Sequence, residues 1–211
     1  GALTHNVGGL IDLGDGGALT VLSATTFAGS LVGGPDTSVN TTGGALTLNA
    51  ATSSIALDGG TVNVTGGALT ISNAAGSLTT NGGAVTADGN LAITGTLDSG
   101  GGAVATTGAA ATITVNTGGQ ILTGGADLSG VNGTITVNAG GQILTEGGDL
   151  AAVAAPLVVN GLLDTAGGDI TGITTTTVNA GGQILTGGGD LTGGGALTHN
   201  VGGLIDLGDG G

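Results

Sequence analysis

Four aspartates, Asp127, Asp149, Asp169 and Asp190, each stand directly before the apolar residue that opens a short alternating run, in GGADLS, GGDLA, GGDIT and GGDLT. If those runs are stacked parallel strands, the carboxylates form an outward column about 4.8 Å apart. Neighbours in such a column repel by roughly 1 kcal/mol even at water's dielectric, and the chain holds no Lys or Arg to relieve them. The carboxylates must therefore splay into solvent or recruit a hard cation such as calcium, with turn carbonyls as further oxygen ligands. Splaying is the first reading. The Gly-Asp runs in GLIDLGDGG lack the fuller nonapeptide calcium pattern.

Asn116, Asn138, Asn160 and Asn179 recur in the same way, each closing a run before a Gly-containing turn. Asn tolerates left-handed backbone angles, and its carboxamide can donate to the Asn of one unit and accept from that of another, so these four are expected to form a structural ladder. A saccharide-binding row is the alternative. His5 and His199 occupy one position in two copies of a run. ALTHN aligns with TITVN, which points the imidazole inward where Val115, Val137, Val159 and Val178 point, packed and hydrogen-bonded or displaced by a bulge. A metal or pH-switch role needs partners, and no second His is available in the unit. Outward pairs Thr112/Thr114, Thr134/Thr136 and Thr175/Thr177 resemble ice-binding Thr arrays, although Pro156 and Val158 interrupt them and Thr is a common exposed strand residue. Asp164 and Asp206 are the one candidate carboxylate pair for glycoside hydrolysis. No segment except 22–42 is long enough to build a pocket, and no enzyme activity is expected.

Composition removes other functions. With 14 acidic residues against no Lys or Arg, a net charge of −14 at pH 7, the chain has no cation to displace counterions from a nucleic acid. Binding to anionic lipid is excluded on the same ground. No apolar run approaches the roughly 18 residues of a membrane span, and no Cys is present for disulfides or thiolate metal sites. The 51 Gly occur mostly as GG pairs rather than at every third position, and Pro is scarce, which excludes collagen. The mean hydropathy of +0.49 opposes disorder.

What must position these residues is a repeat. Residues 1–17 and 195–211 are the same GALTHNVGGLIDLGDGG, offset by 194, and the simplest account is one 194-residue unit of a longer array plus an overlap. Within it, GG followed by a short run recurs at 16, 43, 66, 82, 101, 124, 147, 167 and 188, giving nine coils. Each coil offers three runs of three to five residues with period-two alternation between Gly and Asn turns. Such strands cannot bury a face alone, but stacked coils enclose a filled axis. The reading is all-β, a parallel β-helix (β-solenoid), with 1–211 as one continuous segment.

Inward columns follow from the alternation. The first strand should contribute Leu46, Leu69, Val85, Val104, Leu128, Leu150, Ile170 and Leu191. The second contributes Ile113/Val115, Ile135/Val137, Leu157/Val159 and Thr176/Val178, and the third Val62, Leu97, Ile121, Ile143, Leu163, Ile184 and Ile205. In the less regular first half, residues 18–42 are expected to bulge as a loop and 66–81 to lack a strand.

The runs GGALTLNAATSSIALDGGTVNVTGGALTI and TITVNAGGQILTEGGDL resemble the repeats of filamentous haemagglutinin-like and giant autotransporter-like adhesins. The likeness covers most of the chain. It implies a right-handed helix, an extracellular or cell-surface location and a rod-like structural role. On this reading the chain is a stiff, non-catalytic repeat of a fibre or adhesin. Its expected partners are further copies end to end and, through divalent cations, neighbouring filaments, with no resident cofactor unless calcium. A stalk presenting a distal adhesive or toxic domain, and a carbohydrate-binding or ice-binding solenoid, are the alternatives.

Overall fold

The computed structural model describes residues 3–211, and among them the chain forms short strands joined by turns, with no helix. Every strand pairs in parallel with the strand one coil before and after it, which makes a β-solenoid of about nine turns with three strands per coil. The third strands form a ten-stranded sheet running from Leu10–Asp12 to Leu204–Asp206. First and second strands belong to one seventeen-stranded sheet, because Leu150–Val159 and Ile170–Val178 continue from the first strand around the corner into the second.

Inward-pointing Val, Ile and Leu stack on their own kind. Along the second strands, Leu46/Leu48, Leu69/Ile71, Leu91/Ile93, Ile113/Val115, Ile135/Val137 and Leu157/Val159 are all fully buried. The expected core residues Val115, Val137, Val159, Val178, Ile121, Ile143, Leu163 and Ile184 are buried, and Ile205 packs partly buried against the same core in the last coil. At roughly 1.5–3 kcal/mol per buried aliphatic side chain, this burial drives the stacking, and no coil could achieve it without its neighbours.

The second half follows the register read from the sequence, and the first half does not. The first-strand column is Leu19, Val39, Val62, Val85, Val104, Leu128, Leu150, Ile170 and Leu191. Leu46 and Leu69 lie instead in second strands, paired through Leu69↔Leu46, and Val62 lies in a first strand. Residues 18–42 are no loop: they hold the strands Ala18–Val21, Thr25–Phe27, Ser30–Gly33 and Ser38–Thr41. Residues 66–81 do hold only two strands, Leu69–Ile71 and Ser77–Thr79, but the coil is complete, because its first strand is Thr61–Val64 just ahead of the GG pair. The cause is that a GG pair marks any corner where backbones press together. A Cβ on Gly44 would overlap Ala24, and one on Gly67 would overlap Gly44, so GG also occurs between first and second strands there.

The two copies of the seventeen-residue run fall on the same ladders. Thr4–His5 begins and Leu197–His199 ends the second-strand ladder, and the third-strand ladder begins and ends on LID in both copies. Gly1 and Ala2 of the first copy lie outside the described residues.

Candidate functional site

The four aspartates form an outward column at the start of the first strands, and their carboxylates bond along it rather than splaying freely. The first three carboxylates each accept the backbone N–H of the aspartate one coil on: Asp149 N–H to Asp127 at 2.9 Å, Asp169 N–H to Asp149 at 2.8 Å and Asp190 N–H to Asp169 at 2.9 Å. The aspartate carbonyls meanwhile accept from the first-strand residue of the preceding coil, as in Leu128 N–H to Asp149 O and Leu150 N–H to Asp169 O. The carboxylates thus extend the backbone ladder by one rung. A charge-assisted bond of this kind, stronger than a neutral one, offsets repulsion along the column. Among the described residues, no group of three or more Asp, Glu or His is placed to hold a metal ion.

Asp164 and Asp206 sit in one third-strand column with Leu185 between them. Their carboxylates accept the N–H of Ala166 and Gly208, each 3.0 Å away, and Asp12 and Asp98 do the same for Gly14 and Gly100. These are Asx turns that lead the chain into left-handed backbone, with Gly14, Gly100, Ala166 and Gly208 at φ 61, 56, 49 and 70. Each carboxylate of the proposed hydrolytic pair is therefore engaged in holding its own turn.

This corner, between third and first strands, contains a feature that sequence reasoning missed. Thr80, Ser99, Thr123, Thr145, Thr165 and Thr186 point inward there and are fully buried. The Thr80, Thr123, Thr145, Thr165 and Thr186 hydroxyls donate to the carbonyl three residues on, at Gly83, Ala126, Gly148, Gly168 and Gly189. The signal was parity: Thr123 follows inward Ile121 by two residues, so it must also point inward. Every acidic residue of the chain except Asp88 lies at or beside this corner. The rod therefore has one acidic edge.

The corner between second and third strands is its opposite, with no charged residue anywhere along it. Asn138 donates to Asn116 at 3.3 Å, Asn179 to Asn160 at 2.7 Å and Asn200 to Asn179 at 2.7 Å, while Asn116 donates to the Thr94 hydroxyl at 3.2 Å. No such bond joins Asn138 to Asn160, so the carboxamide ladder is broken between those coils. Gly119, Gly141, Gly182 and Gly203 close turns onto the Asn three residues earlier, with Gly118, Gly140, Gly181 and Gly202 at φ 77–89 in the second central position of a type II turn. A further rung of stacked amides, Gln120 to Gln142 at 2.8 Å, lies beside it on the third strands.

His5 points inward, is 8% exposed and meets Phe27 edge-on at 5.4 Å. Contrary to the expected hydrogen-bonded imidazole, neither ring nitrogen has a partner among the described residues. The ring lies over Gly9 and Gly29, where a Cβ would collide with it. Its copy His199, in the last described coil, is exposed. The second member of each outward Thr pair belongs to a longer column through the middle of the second strands, Thr4, Thr26, Thr47, Thr70, Thr114, Thr136, Thr177 and Thr198, interrupted by Ala92 and Val158.

Compared with protein-family models, with curated proteins and with solved structures, the chain matches none. Function must be argued from the two edges and the ladders between them.

Proposed function

We propose that the chain is a non-catalytic structural repeat of an extracellular or cell-surface fibre or adhesin, and that it acts as a stiff rod. The observation that carries this reading is the register of the duplicated run: both copies sit on the same two ladders, nine coils apart, so a following unit would continue every ladder without a break. Nine coils at about 4.8 Å advance the axis by roughly 43 Å. A protein of two or three joined 194-residue units should lengthen by that amount per unit in small-angle scattering, at constant cross-section. Units that fold back on one another would give a thicker, shorter particle and end the proposal.

Backbone ladders running along the axis resist stretching, and the lack of Lys and Arg leaves no site for trypsin-like cleavage. If filaments also associate sideways through divalent cations, the acidic edge must be where they meet. Millimolar calcium should then bundle the filaments and chelator should disperse them. Equal bundling in both would remove cations from the account while leaving the rod.

A further inference from the structure

The uncharged corner has a period that the 194-residue repeat conceals. From second to third strand the usual turn takes four or five residues, as in Asn138–Gly141, but three turns have only two: Ala28–Gly29, Thr94–Gly95 and Asn160–Gly161. Their glycines are 66 residues apart in each step, and the register puts them three coils apart. Nine coils divide by three, so the rhythm of two long turns and one short persists from one unit into the next.

Each short turn is recessed. A Cβ on Gly29, Gly95 or Gly161 would overlap carbonyls of the preceding long turn, which leans over it. At the third of these the recess measures about 290 Å³ and is lined by Gln142, Asn160, Leu162, Gln183 and the glycines of the turns on either side. Three carboxamides from three successive coils converge there. The Gln142 oxygen accepts from Gln120 and the Asn160 oxygen accepts from Asn179, which leaves both amide nitrogens as donors. The Gln183 amide has no partner among the described residues. The break in the Asn ladder falls at this point.

From this geometry we propose that the recess at Asn160–Gly161 binds one ring of an uncharged saccharide polymer lying along the corner. Its volume is at the low end of ligand pockets, about 300–1,000 Å³, and it offers amide donors and acceptors in place of an apolar floor. Anionic polymers are repelled by a chain of charge −14 without a cation, and cationic ones are drawn to the acidic edge across the rod. A polyhydroxylated neutral ligand is what remains. A polypeptide strand finds no free ladder edge at this corner, since the strands on both sides are paired above and below. Without an aromatic ring to stack on, a single sugar is held weakly. A polymer long enough to meet the same recess in the next 194-residue unit, about 43 Å along the axis, gains by multivalency.

The test uses the 211-residue chain with a β-1,4-linked glucose hexamer, and a galacturonate hexamer of the same length as the charged control. The neutral hexamer should shift the side-chain amide resonances of Gln142, Asn160 and Gln183 with millimolar affinity, and the charged one should not. Inserting Ala-Gly between Asn160 and Gly161 restores the long turn found one coil before and after, and it should weaken binding at least tenfold. Asp169→Asn on the acidic edge should leave binding unchanged. If the insertion disturbs the fold by circular dichroism, the double variant Gln142→Ala/Gln183→Ala makes the same test. Absence of those shifts, equal binding of the charged hexamer, or full binding by the filled-recess variant overturns the proposal, and none of these outcomes bears on whether the chain is a rod.

Discussion

The acidic corner and the uncharged corner solve the same problem with different groups. Both must turn the chain sharply while stacking on identical turns one coil away, and both place glycine where backbones touch. At the acidic corner the turn is held from inside by buried Thr hydroxyls and from outside by Asx carboxylates. At the uncharged corner it is held by type II turns and by carboxamides that bond from coil to coil. Carboxamides are both donor and acceptor, so they can stack on themselves. Carboxylates only accept, so each needs an N–H of the backbone, and the turn geometry supplies it. The carboxylates that hold the acidic corner are each met by a backbone donor.

The most damaging way to probe this difference is through the glycines. A Cβ on Gly182 would overlap the Val159 carbonyl, and one on Gly168 would overlap the Gly148 carbonyl. Yet Ala126 stands at the place equivalent to Gly168, so the acidic corner can relax around a methyl group, whereas every four-residue turn of the uncharged corner ends on glycine and only the longer turn 49–53 ends on another residue, Ser53. Gly182→Ala is expected to lose about 3 kcal/mol, the upper end for overpacking, and Gly168→Ala about 1 kcal/mol. Chemical denaturation of the two variants side by side decides it. Equal losses would mean that the corners are equally rigid and that Ala126 is accommodated by some feature of its own coil.

Next in size is the exchange of the two holding groups. Thr165→Val keeps shape but removes the donor to the buried Gly168 carbonyl, which should cost about 1–3 kcal/mol. Asn179→Ala breaks two carboxamide bonds, to Asn160 and from Asn200, but leaves their partners open to water, and about 0.5–1.5 kcal/mol is expected. Should Asn179→Ala prove the costlier, the carboxamide ladder would be the principal clamp and the inner hydroxyls secondary.

These two regions also differ in how far they could be read from sequence. Alternation and GG punctuation disclosed the solenoid, the nine coils and the inward Val, Ile and Leu of the second half, because there the turns repeat with nearly the same residues. Leu46, Leu69 and Val62 fall on other strands than the GG punctuation predicts, because GG marks backbone contact at any corner rather than one particular corner. The Asp and Asn columns were visible as spacings, but the groups that bond to them were not. The acceptance of the Asp149 N–H by Asp127 depends on how far one coil rises and on where its backbone N–H points. Inward Thr165 was legible by parity and overlooked because Thr is common on exposed strands. The period-three recess emerged only after register fixed which turns are equivalent.

The smallest expected effect concerns Asp88, the one acidic residue away from the acidic edge, at a corner between first and second strands. It accepts the Thr107 hydroxyl and the Gly66 N–H, the latter at 2.9 Å. The Thr107 hydrogen bond first, and the Gly66 N–H second, hold its pKa below the ordinary value of 3.8. A carboxyl whose folded pKa is depressed adds stability above its unfolded value and loses it as pH falls through the folded one, so this contribution belongs to pH above about 3.8 and vanishes below. Carboxyl ¹³C resonances should show Asp88 titrating at lower pH in the native chain than in Thr107→Val, which lacks the hydroxyl donor. If both titrate alike, the Thr107 hydroxyl is not what holds the carboxylate. The Gly66 N–H would then be the donor that holds Asp88, as backbone N–H groups hold Asp164 and Asp206 at the acidic edge.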